Sequence, residues 1–518
     1  MNPTPINRIS LRILLTILLV LILLIPAAAY AGTGIIPLVP AEDPKLNTKA
    51  QKIAPTAFAA DNPQPVLHWG EGEGKSYLIP ALDITGFFLI LNQFDRHFMD
   101  SDEYHSNFSS FKENLTGAWV YDNDSFSINQ FLHPYAGSMY LGFARSAGHG
   151  YWTSLGYSTA GSLLWELAGE TTPPSKNDLY TTGFGGSILG EPLFRISNLL
   201  LESGNGSGKP GFWRELGAAT IFPATGFNRL AYGKRFHGVF RSHNPAVFTR
   251  FQLGVNLMSN VSTNVTDPAG AAVPQSYKNG EAIADLTIAY GLPGKPGYTY
   301  NRPFDNFNFQ LTAATSNALE NVISRGLLYG TDYSIGDNYR GIWGLYGTYD
   351  YIAPQIFRVS TTALGLGTTA QWWLSPTVAL QGTVLAGVGY GSAGTIHGVG
   401  ERDYHNGISP QGLLASRLIF SDRAALELEL REYYISGAAS AESEGSENLL
   451  RGVGTFTVRV YNLHGLTLRY TISRRDANYD HLADTRQTVG TLSLGYTYLG
   501  QTRFGAVDWR PKSEGGPL

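Results

Sequence analysis

At 518 residues the chain is long enough for two or more folding units, yet only 15 % of it is charged, well under the usual quarter. Aromatics make up 12 %, with 29 Tyr, and 60 residues are Gly, which is too apolar for a disordered chain and too poor in charge for a typical soluble enzyme surface. The absence of Cys removes disulfides, thiolate catalysis and Cys-ligated zinc, and a net charge of −4 gives no reason to expect nucleic acid.

The N-terminus reads as a secretory signal over residues 1–31. Arg8 and Arg12 supply the positive start, Ile13 to Ile25 is apolar except for Thr16, and Ala29-Tyr30-Ala31 gives the small-x-small cleavage pattern. The apolar run, about 13 residues, falls short of the roughly 20 that a membrane-spanning helix needs. Residues 32–64, rich in Pro, Ala, Asn and Lys and without periodicity, read as a flexible periplasmic leader.

Residues 65–240 read as a helical module. Ala81 to Phe98 has Ile84, Phe87, Phe88, Leu91 and Phe94 near helical spacing. Gly117–Tyr121 and Ser125–Phe131 suggest a hairpin turning at Asp122-Asn123-Asp124. Stretches 133–149, 156–170 and 185–202 are apolar, dense in Gly, Ala and Ser, and punctuated by single ionisable groups. Small residues let helix backbones approach closely. Pro173-Pro174 must break any helix between the second and third stretches.

From about residue 246 the period becomes two. Leu426, Leu428 and Leu430 alternate with Glu427, Glu429 and Arg431, and Leu466, Leu468, Tyr470 and Ile472 with Thr467, Arg469, Thr471 and Ser473. The alternating runs last about 10–14 residues, against 5–6 in ordinary strands, which is the length that crosses a bilayer at a tilt. Aromatics gather near the run ends, among them Trp343, Tyr346, Tyr349, Tyr351, Trp372, Trp373, Tyr433, Tyr434, Tyr496 and Tyr498, as interfacial belts require. In lipid a sheet must close to pair its edges. The pattern predicts about twelve strands starting near 246, 281, 305, 319, 339, 356, 376, 410, 424, 449, 464 and 486, with the longer outward loops at 259–279 and 391–409. Glu427, Glu429, Arg431, Arg459 and Arg469 then face the lumen.

The block 129–195 holds the chemistry-bearing residues. It contains a His-Pro-x-x-Gly-x-x-Tyr run from His133 to Tyr140, the pair Arg145-Ser146, and Gly-Ser-x-x-Trp-Glu from Gly161 to Glu166. Pro-Ser-x-x-Asp from Pro174 to Asp178 and Gly-Glu-x-x-x-Arg from Gly190 to Arg195 complete it. With these five elements in order, residues 80–235 resemble a bacterial family defined as domain of unknown function 3943. The resemblance implies an envelope protein and no particular activity.

Several chemistries fit these residues. A structural network would cross-link the helices through His133, Tyr140, Arg145, Glu166, Glu170, Asp178, Glu191 and Arg195, since ionisable groups in an apolar body must find partners. Glu191 and Arg195 stand at i, i+4 in the favourable order, whereas Glu166 and Glu170 repel at that spacing and need a cation such as Arg145, a proton or a metal. Acyl chemistry on lipid would use His133 as base, Ser138 (or Ser162) as nucleophile and Glu166 as orienter, although no Gly-x-Ser-x-Gly elbow is present. A metal on His133, Glu166, Glu170 and Asp178 lacks a recognisable ligand spacing, so no metal and no cofactor are expected. Asn107, Asn114 and Asn123 match glycosylation acceptors without meaning in a bacterial envelope protein, and 204–208 is a flexible Gly-rich run rather than a phosphate cradle.

Together these features predict an all-β membrane barrel of about twelve antiparallel strands at 246–509, preceded by a helical, polar-cored module. The expected address is the outer membrane of a Gram-negative cell. The expected partners are outer-membrane lipid and, during biogenesis, the barrel-assembly machinery. The expected role is a channel, transport or scaffold component whose module plugs the lumen or docks, with a lipid acyl hydrolase or transferase as the alternative. A plug would bring the lumenal charges to Arg145, Glu166 or Arg195, close to Arg459.

Overall fold

The computed structural model describes residues 74–98, 102–122, 124–202, 210–265, 275–277, 280–315, 317–354, 357–395, 404–437, 445–479 and 484–510. The expected signal, the leader, Asn123 and the 204–208 run lie outside the described residues.

The first part is helical: α1 (Leu78–Phe98), α2 (Phe108–Thr116), α3 (His133–Ser146), α4 (Tyr151–Ala168), α5 (Lys176–Tyr180), α6 (Gly186–Glu202), α7 (Phe212–Ile221) and α8 (Pro223–Ala231). All four helical stretches read from the sequence are present. The expected hairpin is not. Val120 pairs with Ser175 in an isolated parallel bridge, and Ile128–Leu132 forms a wide π-type turn that runs straight into α3. Asn129 Nδ2 donates to Asp122 Oδ2 and the Asp122 amide donates to Asn177 Oδ1, which leaves no register for a local ladder. The close approach expected from small residues occurs at Gly137. A Cβ there would collide with the Thr182 carbonyl oxygen, and one on Gly186 would lie 2.7 Å from the Gly137 Cα.

The rest is a closed meander of twelve antiparallel strands: β1 (Val247–Val265), β2 (Glu281–Tyr290), β3 (Phe307–Ala314), β4 (Asn321–Ile335), β5 (Tyr339–Ile352), β6 (Phe357–Trp373), β7 (Val378–Thr395), β8 (Tyr404–Phe420), β9 (Ala424–Ile435), β10 (Gly445–Tyr461), β11 (His464–Tyr479) and β12 (Thr485–Leu499). The short strand Gln275–Tyr277 also pairs with β1, beyond β2, and β1 pairs with β12 from Arg250↔Leu499 to Val265↔Thr485, so no edge is left open. Ten of the twelve expected starts fall within two residues of the observed ones. The exceptions are β8 and β10, whose first residues (Tyr404-His405-Asn406-Gly407 and Gly445-Ser446-Glu447-Asn448) are largely polar and so show no alternation. Ladder bonds to their neighbours carry them past the apolar band. Links 336–338, 374–377, 421–423 and 462–463 are short and lie at the end where the chain enters β1 and leaves β12. We call this the near end. Strands β1, β7 and β9 end, and β2, β8 and β10 begin, at the opposite end, the far end. In bacterial barrels the short turns are periplasmic.

Ion pairs between strands that are not neighbours fix which face is inward. Arg250 on β1 reaches Glu427 on β9, Arg469 on β11 reaches Asp285 on β2 (3.1 Å), and Arg431 on β9 reaches Asp350 on β5 (3.0 Å). The opposite parity points outward, and along β9–β12 and the part of β6–β8 away from the far rim it is an apolar exposed surface carrying Leu366, Val384, Leu414, Leu428 and Leu466. This closed barrel with an apolar exterior is an outer-membrane architecture.

The helices pack on that outward face. Ser324 Oγ donates to the Ile188 carbonyl (2.7 Å), Tyr349 Oη donates to the Gln130 carbonyl (2.6 Å), and Trp152 stacks on Tyr329 with centroids 5.1 Å apart. Ser324 and Tyr349 face each other on β4 and β5, on the side opposite inward Asp350. The plug expectation is therefore overturned, and the module docks beside the wall. It covers two residues of the aromatic "belt" as well. Tyr349 and Tyr351 are buried under helices, and Tyr346, Trp373 and Tyr433 point into the lumen, whereas Trp343, Trp372, Tyr434 and Tyr496 remain exposed outside.

Candidate functional site

Two polar clusters tie the module together, one toward each end of the barrel. Toward the near end, Arg145 of α3 forms a two-point pair with Glu191 of α6 (2.7 and 2.9 Å). Glu191 also accepts from Arg195 one turn on (2.9 Å), the i, i+4 pair expected from the spacing. Arg195 continues to Asp305 in the β2–β3 link (2.9 Å) and to the Pro303 carbonyl (2.5 Å), and Arg302 pairs with Asp305 as well (3.0 Å). Phe240 lies under three of these guanidinium groups at 4.6–5.0 Å. All the members but Arg302 are buried, so charge alternates Arg, Glu, Arg, Asp along a dry path from helix to barrel. Such a path is stable only while every member is paired. The residues Arg302, Pro303, Asp305 and Phe240 escaped the sequence reading, because nothing in a loop motif reveals which helix it will meet.

The far-end cluster is acidic. Glu166 accepts the Ser175 amide (2.7 Å), Ser175 caps α5 through the Asp178 amide (3.1 Å), and Asn177 links Asp178 to Asp122. Asn129 bonds both Asp122 and the Tyr404 hydroxyl (2.9 and 2.8 Å), which fastens the cluster to the rim of β8. The cation expected for Glu166 and Glu170 is not Arg145, which is spent on Glu191. Glu170 accepts from Trp165 Nε1 (2.7 Å) and Thr172 Oγ1 (3.1 Å) instead. Burial pushes the carboxyl of Glu170, in the connector beyond α4, up to about 8, with His133 and the Trp165 hydrogen bond opposing that rise. Tyr140 is buried and packs with Ile84, Met139 and Phe143. No group of three or more metal-ligating side chains occurs among the described residues.

The candidate acyl-transfer residues are placed apart in their contacts. Ser138 is fully buried, its hydroxyl donates to the Tyr135 carbonyl (2.6 Å), and a Cβ on Gly190 would come within 3.1 Å of the Ser138 Cβ. Ser162 donates to the Asp178 carbonyl at 3.4 Å. His133 is half-buried, and it faces Asp95 and Glu170 electrostatically rather than either serine. Both hydroxyls are thus held by backbone carbonyls of the module.

In the lumen, Glu427, Glu429, Arg431 and Arg469 line one cavity of about 140 Å³. Arg459 shares their parity but lies at the near rim, paired with Asp422 of the β8–β9 turn. Proximity of Arg459 to Arg195 is likewise replaced, since Arg195 meets Asp305. An apolar cluster of Ile323, Ile352, Phe357, Val359, Tyr433 and Ile435 packs in the far part of the lumen. The chain after β12 folds back into the near mouth. The Val507 carbonyl accepts from Gln371 Nε2 (2.6 Å) and Trp373 Nε1 (3.0 Å), and the Gly505 carbonyl accepts from Gln381 (2.9 Å).

The family model described as Domain of unknown function (DUF3943) matches residues 118–224, the stretch that holds both clusters apart from Phe240 and their barrel partners. No curated protein shows significant similarity to the chain. Among solved structures, similarity is found to an outer membrane channel from Pseudomonas putida F1 (12 % identity, 49 % of this chain and 96 % of that one, TM-score 0.26). It is also found to the NanC porin (6 %, 46 % and 98 %, TM-score 0.24) and to the outer membrane protease OmpT from Escherichia coli (9 %, 49 % and 96 %, TM-score 0.21). At these scores the likenesses carry no inference about activity, and the barrel rests on its own hydrogen-bond ladder.

Proposed function

We propose that the barrel is a scaffold that holds a helical module in the plane of the outer membrane, with its own lumen closed. The observation that carries this reading is the packing of α6 along the outward face, with Ile188 bonded to β4 and Arg195 bonded to the near-end link. The 17 residues of α6 span about 25 Å at 1.5 Å per residue, the height of a barrel's apolar band. Along β9–β12 that height is presented to lipid, so α6 stands where lipid would otherwise be. The outer face of α1, with Leu82, Leu89, Ile90 and Phe94 exposed, suits lipid too. Cross-lumen ion pairs, the far apolar cluster and the returning tail all support a closed lumen.

Planar-bilayer recording of the purified protein tests this. The scaffold reading expects no steady conductance from the wild type, and a persistent porin-like conductance would overturn it. The reading includes export with cleavage after Ala31, so the mature protein recovered from the outer membrane should begin at Gly32. It also expects the phospholipid and lipid A profile of cells to be the same for wild type, His133→Ala and Ser138→Ala.

A further inference from the structure

We propose that the lumen cavity is a binding site for a small oxyanion, a carboxylate or a phosphate, with Arg325 as its principal contact. The cavity, about 140 Å³, is lined by Arg250, Arg325, Arg417, Arg431 and Arg469 together with Glu427 and Glu429. A cavity of that size accommodates a compact ligand of several heavy atoms.

The pairing within the site is uneven. Glu427 is taken by Arg250 and Arg417, and Glu429 by Arg431 (2.7 Å), so neither carboxylate is left over for a cation. Behind the lining, Asp285 is engaged by Arg469, and Asp350 accepts from Arg431 and Tyr433 through Oδ2, with its Oδ1 buried without a donor. Arg325 is the arginine of the lining that forms no hydrogen bond or ion pair among the described residues. Only 9 % of it is exposed, and its guanidinium lies 6.0 Å from the Tyr346 ring centroid. The Nε atoms of Arg250, Arg325 and Arg469 are all buried without an acceptor. A buried cation with idle donors is costly. An oxyanion supplies the missing acceptors, and a planar guanidinium offers it two parallel bonds. The two glutamates disfavour a highly charged ligand, so a monoanion is the better fit.

The full-length protein in lipid nanodiscs is titrated calorimetrically with acetate and with inorganic phosphate, at constant ionic strength in chloride. The wild type is expected to bind at least one of the two, and the comparison tells which oxyanion the site takes. Arg325→Met, which removes an unpaired buried charge and should fold, is expected to weaken binding about tenfold or more. Arg325→Lys should restore part of it. Arg486→Met, at the exposed far rim, should leave affinity unchanged. Equal affinity in Arg325→Met and the wild type, or no binding of either anion by the wild type, overturns the proposal. Thermal melts add a second readout: without anion, Arg325→Met should melt no lower than the wild type, and its melting temperature should no longer rise when the anion is added.

Discussion

Strands β2 and β11 belong to the same barrel and read as different kinds of sequence. On β11 the outward Leu466, Leu468, Tyr470 and Ile472 are 42–55 % exposed, and they alternate with inward Thr467, Arg469, Thr471 and Ser473. On β2 the outward Ala284, Leu286, Ile288 and Tyr290 are at most 6 % exposed, because the helices stand over them. A strand with one face to solvent or lipid alternates, and a strand covered on both faces loses the contrast. Wall under the helices is therefore a protein core, whereas bare wall is a lipid surface. In lipid, apolar area alone does not hold helix to wall, because acyl chains are as apolar as Leu. Close packing and buried polar bonds must do so.

That contrast can be broken most forcefully at the near-end ion path. Glu191→Ala leaves Arg145 and Arg195 buried without their carboxylate and should cost about 3–5 kcal/mol. Limited proteolysis should then cut within 133–202 while the barrel stays folded by its heat-dependent gel mobility. Next in size is a matched pair on the wall. Leu286→Ala, under the helices, should lower stability by about 2–5 kcal/mol through the cavity it leaves. Leu468→Ala, on bare wall, should change it by about 1 kcal/mol or less, because lipid fills the space. Equal losses in urea titrations of the two variants would erase the distinction between the sectors. Gly137→Val should force α3 off the Thr181–Gly185 turn and cost about 1–3 kcal/mol, read as a lower melting temperature. The smallest effect is expected at Tyr404→Phe. It removes the hydroxyl shared by Asn129 and the Asp124 carbonyl, a loss of about 1 kcal/mol seen as faster amide exchange near Asn129.

The same contrast explains what could be read from the chain. The bare strands β9–β12 announced themselves through Leu426-to-Leu430 and Leu466-to-Ile472, and the even count of strands followed from closure. The helices were legible from their small-residue stripes and from Pro173-Pro174. Their location was not, because α6 mixes Glu191 and Arg195 with apolar residues, and this pattern suits a lumen as well as a groove beside a wall. Partners more than a hundred residues away, Ser324 for Ile188 and Asp305 for Arg195, distinguish the two. Of the candidate site, the Glu191–Arg195 pair was visible as local spacing. The route from Arg145 to Asp305, the isolation of Arg325 and the Asn129–Tyr404 fastening depend on strand register, which no local pattern encodes.

The position of the module is tested most directly by cross-linking, which a chain with no native Cys makes clean. Trp152→Cys is combined with Tyr329→Cys on the outward face or with Thr369→Cys on the lumenal face, and each pair is treated in native membranes with a short thiol-to-thiol linker. Packing on the outer wall predicts a link between 152 and 329, whose native rings stack at 5.1 Å, and none between 152 and 369. A link from 152 to 369 with none to 329 would place the helices inside the barrel and contradict the docked arrangement.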